Sequence, residues 1–202
     1  MNAFDDNTNK YEQWYKDNKF AYLSEIAALR KAVPKQGIGL EIGVGTGRFA
    51  EPLGVSYGID PSVKMLKVAK NRGIKTFLGK GENLPFEDKE FDCVLMVTTL
   101  SFVDKAEQVI TEAKRVLKNK GRIIIGEIDR ESHLGKAYQK KIEEGHRIYK
   151  NMNMFSAEEI IDLLKKHKFI NISTYQILFQ PVEKIQKLEQ ARKGFGIGGF
   201  VW

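Results

Sequence analysis

The feature that most constrains the fold of this chain is a glycine-rich loop that directly follows a short apolar segment. The segment Gly39–Ile42 runs into glycines at three alternate positions, Gly43, Gly45 and Gly47, and a helical pattern follows. Glycine adopts backbone conformations closed to other residues and lets a ligand approach the main chain closely. A strand that ends in such a loop and continues into a helix presents unpaired N–H groups, which suit a nucleotide-like ligand with an anionic group. The alternative is an ordinary tight turn, because this spacing alone is a weak signal.

Asp60 strengthens the first interpretation, since it stands at the end of the next apolar segment, residues 55–59. In βαβ nucleotide-binding folds, a carboxylate at about this interval holds the two ribose hydroxyls. Pro61 and Ser62 follow, and Asp-Pro-Ser is also a good helix start, so Asp60 could instead cap that helix. The two roles are compatible, and the sequence leaves both open.

Strand-like and helix-like segments alternate through the middle of the chain, which predicts a parallel sheet with helices on both faces. Apolar runs predict strands at residues 74–78, 91–97 and 123–128, and the second of these is nearly continuous, as in a strand buried on both faces. Alternation at residues 169–179 predicts a further strand, and the glycine-rich ending at residues 194–202 predicts a turn and a last strand paired with it. Asp104 and Glu107 form the pattern of a capping box for the helix that follows.

Five ordered motifs carry a resemblance to a known family. In chain order they are Glu41-x-Gly43-x-Gly45-x-Gly47, Asp60, Gly81-Glu82-Asn83-Leu84-Pro85-Phe86, Phe91-Asp92-Cys93-Val94-Leu95 and the segment from Glu112 to Gly121. From about residue 33 to residue 129 the chain resembles a class I S-adenosylmethionine-dependent methyltransferase of the small-molecule type, with a core like that of the ubiquinone and menaquinone biosynthesis methyltransferases. A dinucleotide-binding loop would need a glycine where Arg48 stands, so NAD binding is disfavoured.

The resemblance implies both the fold and the cofactor. The expected fold is α/β and Rossmann-like: a doubly wound, mostly parallel seven-stranded sheet with an antiparallel C-terminal hairpin strand and helices on both faces. The expected cofactor is S-adenosylmethionine, with S-adenosylhomocysteine as product, and no metal is expected. Glu41 would act on the cofactor's amino group, and Asp60 on its ribose. The full set of expected cofactor-binding residues is Glu41, Gly43, Val44, Gly45, Gly47, Asp60, Pro61, Gly81, Glu82, Val97 and Thr98.

Lys80 departs from the family pattern, which usually has an acidic residue there to accept a hydrogen bond from the adenine amino group. Lysine has donors and no acceptor, so it cannot take this role. Adenine would then be held by the Gly81 backbone, by Glu82 or by apolar stacking. We expect the Lys80 side chain to turn toward solvent.

Two helical stretches outside the motif region supply candidates for a lid and an acceptor pocket. In the family resembled, an N-terminal helix often covers the cofactor, and the segment after the fifth strand tends to build the acceptor pocket. Residues 8–33 and 130–153 occupy these places, although their apolar stripes are also consistent with simple packing. The candidates are Tyr11, Trp14, Tyr15, Tyr138 and His146.

Length and composition indicate one domain within a reducing compartment. The chain has 202 residues and no break in composition, which favours a single methyltransferase domain, 1–202. We divide it into an N-terminal helical cap (1–33), a cofactor-binding core (34–129), an acceptor-side insertion (130–155) and a C-terminal helix with strands (156–202). Cys93 is the only cysteine and lies in an apolar strand, so neither a disulfide nor a cysteine metal site is expected. The start of the chain is polar and acidic, unlike a signal peptide, and a cytoplasmic location is expected.

The formal net charge of +7 raises the question of nucleic acid. The lysines lie along helices beside acidic residues, and no aromatic residues are interleaved with them as base stacking would need, so nucleic acid is not an expected partner. No apolar run of about 18 residues is present, so no membrane partner is expected. The sequence does not predict the oligomeric state.

The expected activity is methyl transfer to a small molecule, by in-line displacement that depends mainly on proximity and orientation. No Asn-Pro-Pro-Tyr-like tetrapeptide follows the fourth strand, which disfavours amino methylation of nucleobases, and Cys93 does not suit thiol-dependent methyl transfer. The alternatives are an RNA or protein methyltransferase and a non-catalytic protein that binds the cofactor.

Overall fold

The computed structural model describes residues 7–146 and 149–202. The predicted N-terminal helical stretch forms two helices, α1 (Thr8–Asp17) and α2 (Lys19–Leu29). They separate at Asn18, whose backbone leaves the helical region (φ −110°, ψ 41°). The polar start of the chain, residues 1–6, on which the expectation of no signal peptide rests, lies outside the described residues.

One sheet organises the described chain, and its order is β3-β2-β1-β4-β5-β8-β6-β7. Strands β1 to β5 pair in parallel, and β8, β6 and β7 continue the sheet in antiparallel fashion. The strands are β1 (Gly39–Ile42), β2 (Tyr57–Asp60), β3 (Lys75–Leu78), β4 (Phe91–Val97), β5 (Leu117–Ile128), β6 (Tyr175–Ile177), β7 (Arg192–Lys193) and β8 (Phe200–Val201). The predicted mostly parallel α/β sheet with an antiparallel C-terminal end is confirmed.

The strand count differs from the predicted seven, because β7 adds an eighth strand at one edge. Arg192 and Lys193 pair with Gln176 and Tyr175 of β6. Two exposed basic residues carry no alternating apolar pattern, so the sequence contained no signal for this strand.

Helices cover both faces of the sheet. The remaining helices are α3 (Ala50–Leu53), α4 (Val63–Asn71), α5 (Ala106–Val116), α6 (His133–Glu143) and α7 (Ala157–Lys166). Strand β4 shows the two-sided burial directly: Cys93 and Leu95 belong to the core with α1 to α4, whereas Val94 and Met96 belong to the core with α5 and α7. Both faces are apolar because alternate side chains of a central parallel strand point to opposite layers.

The strand order reverses between β1 and β4, since the chain first builds β2 and β3 on one side of β1 and then returns to the other side. In open α/β sheets a crevice for ligands forms outside the carboxyl ends of the strands at such a reversal. The ends of β1, at Ile42, and of β4, at Val97, therefore locate the site.

Two predicted strands have different bounds. Strand β5 begins at Leu117, well before the predicted residue 123, and its register with β4 shifts between Phe91 and Cys93. Strand β6 covers only Tyr175–Ile177 of the predicted 169–179. Asn171 and Leu178 have positive φ values of 56° and 62°, so the backbone leaves the extended conformation on both sides of β6.

The predicted capping box at the start of α5 is wrong. The N-cap position is Lys105, and no side-chain capping bond is made there. Glu82 instead accepts hydrogen bonds from the backbone N–H groups of Asp104 (3.0 Å) and Lys105 (3.3 Å). A carboxylate from another loop therefore satisfies the start of this helix.

None of the helices within the described residues has both the length and the apolar character needed to cross a bilayer.

Candidate functional site

The glycine loop leaves the carboxyl end of β1 with a backbone that only glycine adopts easily. Gly43, Gly45 and Gly47 have φ values of 72°, 50° and 79°. A Cβ on Gly43 would lie 2.5 Å from Thr99 Oγ1, so a side chain there would displace the end of β4. The Gly43 N–H donates to the Ile59 carbonyl at 2.8 Å, which ties the loop to β2.

Val44 and Gly47 have a packing role within this loop. The Val44 side chain is buried and fills the space beside Gly58, where a Cβ would come within 2.6 Å of it. A Cβ on Gly47 would lie 3.3–3.4 Å from Ile74 and Ala69. Both residues shape the loop from the core side, so among the loop glycines Gly43 and Gly45 are those that line the cavity.

Glu41 is a buried carboxylate immediately before the loop, with 1% of its surface exposed. Burial raises its pKa well above the usual value, although the Ala50 N–H donates to it. Its Oε2 atom has no hydrogen-bond partner among the described residues. A buried acceptor without a partner is costly, although Glu41 is not among the residues that line the cavity described below.

Asp60 ends β2 and binds the glycine loop. Its Oδ2 accepts from the Gly45 N–H at 3.0 Å and its Oδ1 accepts from the Ser62 N–H at 2.8 Å. The N-cap of α4 is Ser62, whose Oγ accepts from the Met65 N–H at 3.2 Å. Asp60 is therefore not itself the N-cap, and it lies half-buried beside Pro61 in the wall of the cavity.

One cavity of about 860 Å³ runs from this loop to the N-terminal and α6 helices. Eight of the predicted cofactor residues line it: Gly43, Gly45, Asp60, Pro61, Gly81, Glu82, Val97 and Thr98. Thr98 has a φ of 51°, and its N–H donates to the Gly126 carbonyl at 2.7 Å. A non-glycine residue held in this strained region beside a cavity is typical of functional sites.

The adenine-side prediction for Lys80 is confirmed in its direction, because the side chain is exposed and pairs with Asp104 at 2.8 Å. A Cβ on Gly81 would lie 2.7 Å from Ile42 Cγ2, so the chain is closely packed at this point. One carboxylate oxygen of Glu82 accepts the backbone N–H groups at the start of α5.

The aromatic residues of α1 lie over the glycine loop. The Tyr15 hydroxyl donates to the Tyr11 hydroxyl at 2.9 Å, and the Tyr11 oxygen lies 3.4 Å from the Cβ position of Gly45. Trp14 packs edge-on against Tyr15, with ring centroids 5.1 Å apart. All three rings line the cavity, so α1 is placed as a cover and packs against the core at the same time.

Glu12 holds helix α1 over the glycine loop, and sequence reasoning did not identify it. Its carboxylate accepts from Thr46 Oγ1 at 2.6 Å, from Arg48 Nε at 3.0 Å and from Arg72 Nη2 at 2.9 Å. The hydrogen bonds with Arg48 and Thr46 outweigh burial and lower the Glu12 pKa. The partners are far from Glu12 in the chain, so no local pattern could have shown this cluster.

The opposite wall of the cavity comes from α6 and the residues that follow it. Tyr138 and Tyr149 meet edge-on at 4.9 Å between ring centroids, and His146 stacks on Tyr149 at 4.7 Å. Met152 is buried in the same cluster. The structure therefore brings the predicted acceptor-side residues Tyr138 and His146 to the same cavity as the cofactor candidates.

Comparisons with known proteins agree with this geometry. A family model described as a methyltransferase domain matches residues 40–125. A solved structure from Thermotoga maritima, described as a SAM-dependent methyltransferase and possible histamine N-methyltransferase, is 44% identical. It covers 98% of this chain, which covers 95% of it, with a TM-score of 0.94. The chain belongs to the class I S-adenosylmethionine-dependent methyltransferases.

Sequence relatives of this methyltransferase extend the likeness. An uncharacterized protein of Methanocaldococcus jannaschii is 49% identical over 201 residues, covering 100% of this chain and 97% of its own length. A demethylmenaquinone methyltransferase of Thermotoga maritima is 26% identical over 191 residues, covering 81% of this chain and 78% of its own length.

The residues of the methyltransferase fit the family's cofactor. The unpartnered Glu41 Oε2 is an acceptor for an amino group. Gly43 and Gly45, both with positive φ, line the cavity and present main-chain atoms without a side chain. Asp60 supplies a half-buried carboxylate in the cavity wall, at the end of β2, for a pair of hydroxyls.

Proposed function

We propose that the protein transfers the methyl group of S-adenosylmethionine to a small-molecule acceptor held in the same cavity. The observation that carries this proposal is the continuity of the cavity: the glycine loop and Asp60 line one part, and the aromatic residues of α1 and α6 line another. Donor and acceptor sites that share one cavity allow direct transfer without a covalent enzyme intermediate.

The cofactor supplies a methyl group that is already activated on a sulfonium sulfur. The chain's own task is then to position and enclose the reactants. Glu41 would bind the amino group, Asp60 the ribose hydroxyls, and the loop main chain at Gly43 and Gly45 the carboxylate end. Orientation of this kind can lower a barrier by about 7–11 kcal/mol without a dedicated catalytic side chain.

A small acceptor is favoured over RNA or protein because α1 and α6 border the cavity on two sides. Tyr11 lies over Gly45, and Tyr138 lies on the α6 side. The names of related proteins point the same way: one is described as a possible histamine N-methyltransferase and another as a demethylmenaquinone methyltransferase. These names describe the acceptors of the related proteins, and for this protein we take from them only that the acceptor is a small molecule.

The test is acceptor-dependent formation of S-adenosylhomocysteine. The protein is incubated with S-adenosylmethionine and, separately, with amines, phenols, quinols and thiols of low molecular weight. We expect turnover with at least one class and none in a Gly43→Val variant, whose side chain would meet Thr99. Tight binding of S-adenosylhomocysteine without turnover of any class would instead support a non-catalytic binding protein.

A further inference from the structure

A single carboxylate interrupts the most apolar helix of the chain. Helix α2 is buried along Ala21, Ile26, Ala28 and Leu29, and Glu25 lies among these residues with 6% of its surface exposed. Its side chain lines the cavity of the proposed active site. Glutamate is almost never this buried unless it is paired, so the position calls for an explanation.

Nothing in the described part of the chain compensates the Glu25 charge. Burial alone raises its pKa to about 8, and no cation or hydrogen-bond donor offsets that effect. Asp60, Glu82 and Asp104 also line this cavity, but Asp60 and Glu82 accept backbone N–H groups and Asp104 pairs with Lys80. Among the described residues, Glu25 is therefore the carboxylate lining the cavity that has no protein partner.

Aromatic residues from two other helices line the same cavity as Glu25. Burial, with a contribution from the Glu25 charge, raises the pKa values of Tyr15 on α1 and Tyr138 on α6, so both rings lie close enough to feel that charge. Trp14 packs edge-on against Tyr15. Aromatic faces attract cations, and they do so more strongly when the cation is desolvated.

We propose that Glu25 is the acceptor-binding residue of this enzyme and that the acceptor carries an ammonium group. An ionised carboxylate only accepts hydrogen bonds, so its partner must be a donor. A cation also relieves the cost of burying a lone negative charge, which a neutral hydroxyl does only in part. The rings of Trp14, Tyr15 and Tyr138 line the same cavity and favour the same positive ligand.

The inference deepens the proposed function and rests on it. Glu25 determines where the acceptor lies and which acceptors enter, and it leaves open which atom of the acceptor receives the methyl group. A purely structural Glu25 would be a neutral, protonated side chain whose replacement changes stability without changing ligand preference. The two roles are therefore separable by experiment.

The experiment is calorimetric titration of the protein saturated with S-adenosylhomocysteine. The probes are tyramine, histamine and putrescine, each compared with the counterpart in which a hydroxyl replaces the terminal amino group. We expect at least one amine to bind about tenfold or more tightly than its hydroxyl counterpart. Glu25→Gln should remove that difference, Glu25→Asp should retain part of it, and Glu143→Gln, an exposed control with the same change of charge, should leave it intact.

Three results would overturn the proposal: no amine binds at millimolar concentration, hydroxyl counterparts bind as well as amines, or Glu25→Gln binds the amine as tightly as the parent protein. S-adenosylhomocysteine affinity is measured first in every variant. If the parent protein does not bind S-adenosylhomocysteine, the proposed function is contradicted. If Glu25→Gln binds it as tightly as the parent does, any loss of amine affinity is a defect in acceptor binding alone. A melting temperature at or above that of the parent shows that Glu25→Gln is folded.

Discussion

Asp60 and Glu25 are carboxylates in one cavity with opposite surroundings. Asp60 accepts two backbone N–H groups, from Gly45 and Ser62, which stabilise its charge before any ligand binds. Glu25 has no such support, and burial raises its pKa. Asp60 is therefore suited to bind the cofactor, which is the same in every reaction cycle. Glu25 is suited to bind a charged acceptor.

Replacement of Asp60 separates its two roles. Asp60→Asn should weaken S-adenosylhomocysteine binding by about 1.5–3 kcal/mol, the scale of a hydrogen bond to a charged group. Calorimetry measures the affinity, and Asp162→Asn, an exposed aspartate of α7, is the matched control. If affinity stays the same while the melting temperature falls, Asp60 only fixes the glycine loop and the start of α4.

The Glu25 carboxyl should also leave a signature in stability against pH. Its unfolded pKa is near 4.5 and its folded pKa about 8, so between these values the folded state holds the proton more often than the unfolded state. Stability of the ligand-free protein should therefore fall as pH rises through this window. Tyr15 and Tyr138, which line the same cavity, have raised pKa values and stay neutral throughout.

Melting temperatures of the parent and Glu25→Gln between pH 5 and pH 8.5 measure this effect. The variant's advantage should grow with pH, at about 2–4 °C per kcal/mol for a chain of this size. Glu41 and Glu127 are also buried with raised pKa values, but they are present in both proteins and cancel in the difference. A pH-independent difference would contradict an ionisable, uncompensated Glu25.

At the scale of single residues, the sequence held a signal for Glu25 that went unused, since a charge inside the apolar run of residues 21–29 is itself unusual. Glu12 offered no such signal. Its bonds to Arg48 and Arg72 join residues 36 and 60 positions apart, and only the folded chain brings them together. The loop glycines and Asp60 could be predicted from the sequence, because their roles are linked to a short, ordered pattern.

At the scale of elements, α1 acts as a cover that the Glu12 carboxylate fastens to the glycine loop. Four side-chain groups from three segments meet there: Glu12, Thr46, Arg48 and Arg72. The aromatic residues of α1 are then held over Gly45. The position of α1 thus depends on the polar cluster around Glu12 as well as on apolar packing.

Glu12→Gln should loosen α1 without unfolding the sheet. Loss of one charged anchor, about 1.4 kcal/mol, predicts roughly tenfold faster amide hydrogen exchange in α1. Exchange in β4 should be unchanged, and Asp17→Asn, an exposed control on the same helix, should resemble the parent. Equal acceleration in α1 and β4 would mean that the cluster supports global stability and not the cover.

The starts of α5 and α7 show why some helix boundaries are harder to predict from sequence than others. Ser156 and Glu159 form both bonds of a capping box at α7, although Glu159 also pairs with Arg130. At α5, Asp104 pairs with Lys80 and Glu107 pairs with Lys166. Tertiary partners take the side chains that the local pattern assigned to the helix.

At the scale of the whole molecule, the sheet order places both halves of the site at one edge. The reversal between β1 and β4 brings Gly43 and Thr98 to the same cavity, and this could be predicted from the order of the motifs. The extra edge strand β7 and the shortened β6 could not, because their pairing depends on positive-φ residues such as Leu178 and on long-range contacts. Sequence reasoning predicted the acceptor-side segment, whereas it named only Tyr11, Trp14 and Tyr15 in the N-terminal stretch and missed Glu25 of α2.

The most direct test of the central claim is a calorimetric titration of the protein with S-adenosylhomocysteine and, in parallel, with NAD. Glu41, the glycine loop and Asp60 together predict saturable binding of one S-adenosylhomocysteine per chain and a melting temperature that rises with its concentration, since the ligand binds the folded state. NAD should give neither. Binding of NAD without binding of S-adenosylhomocysteine at millimolar concentration would contradict the account.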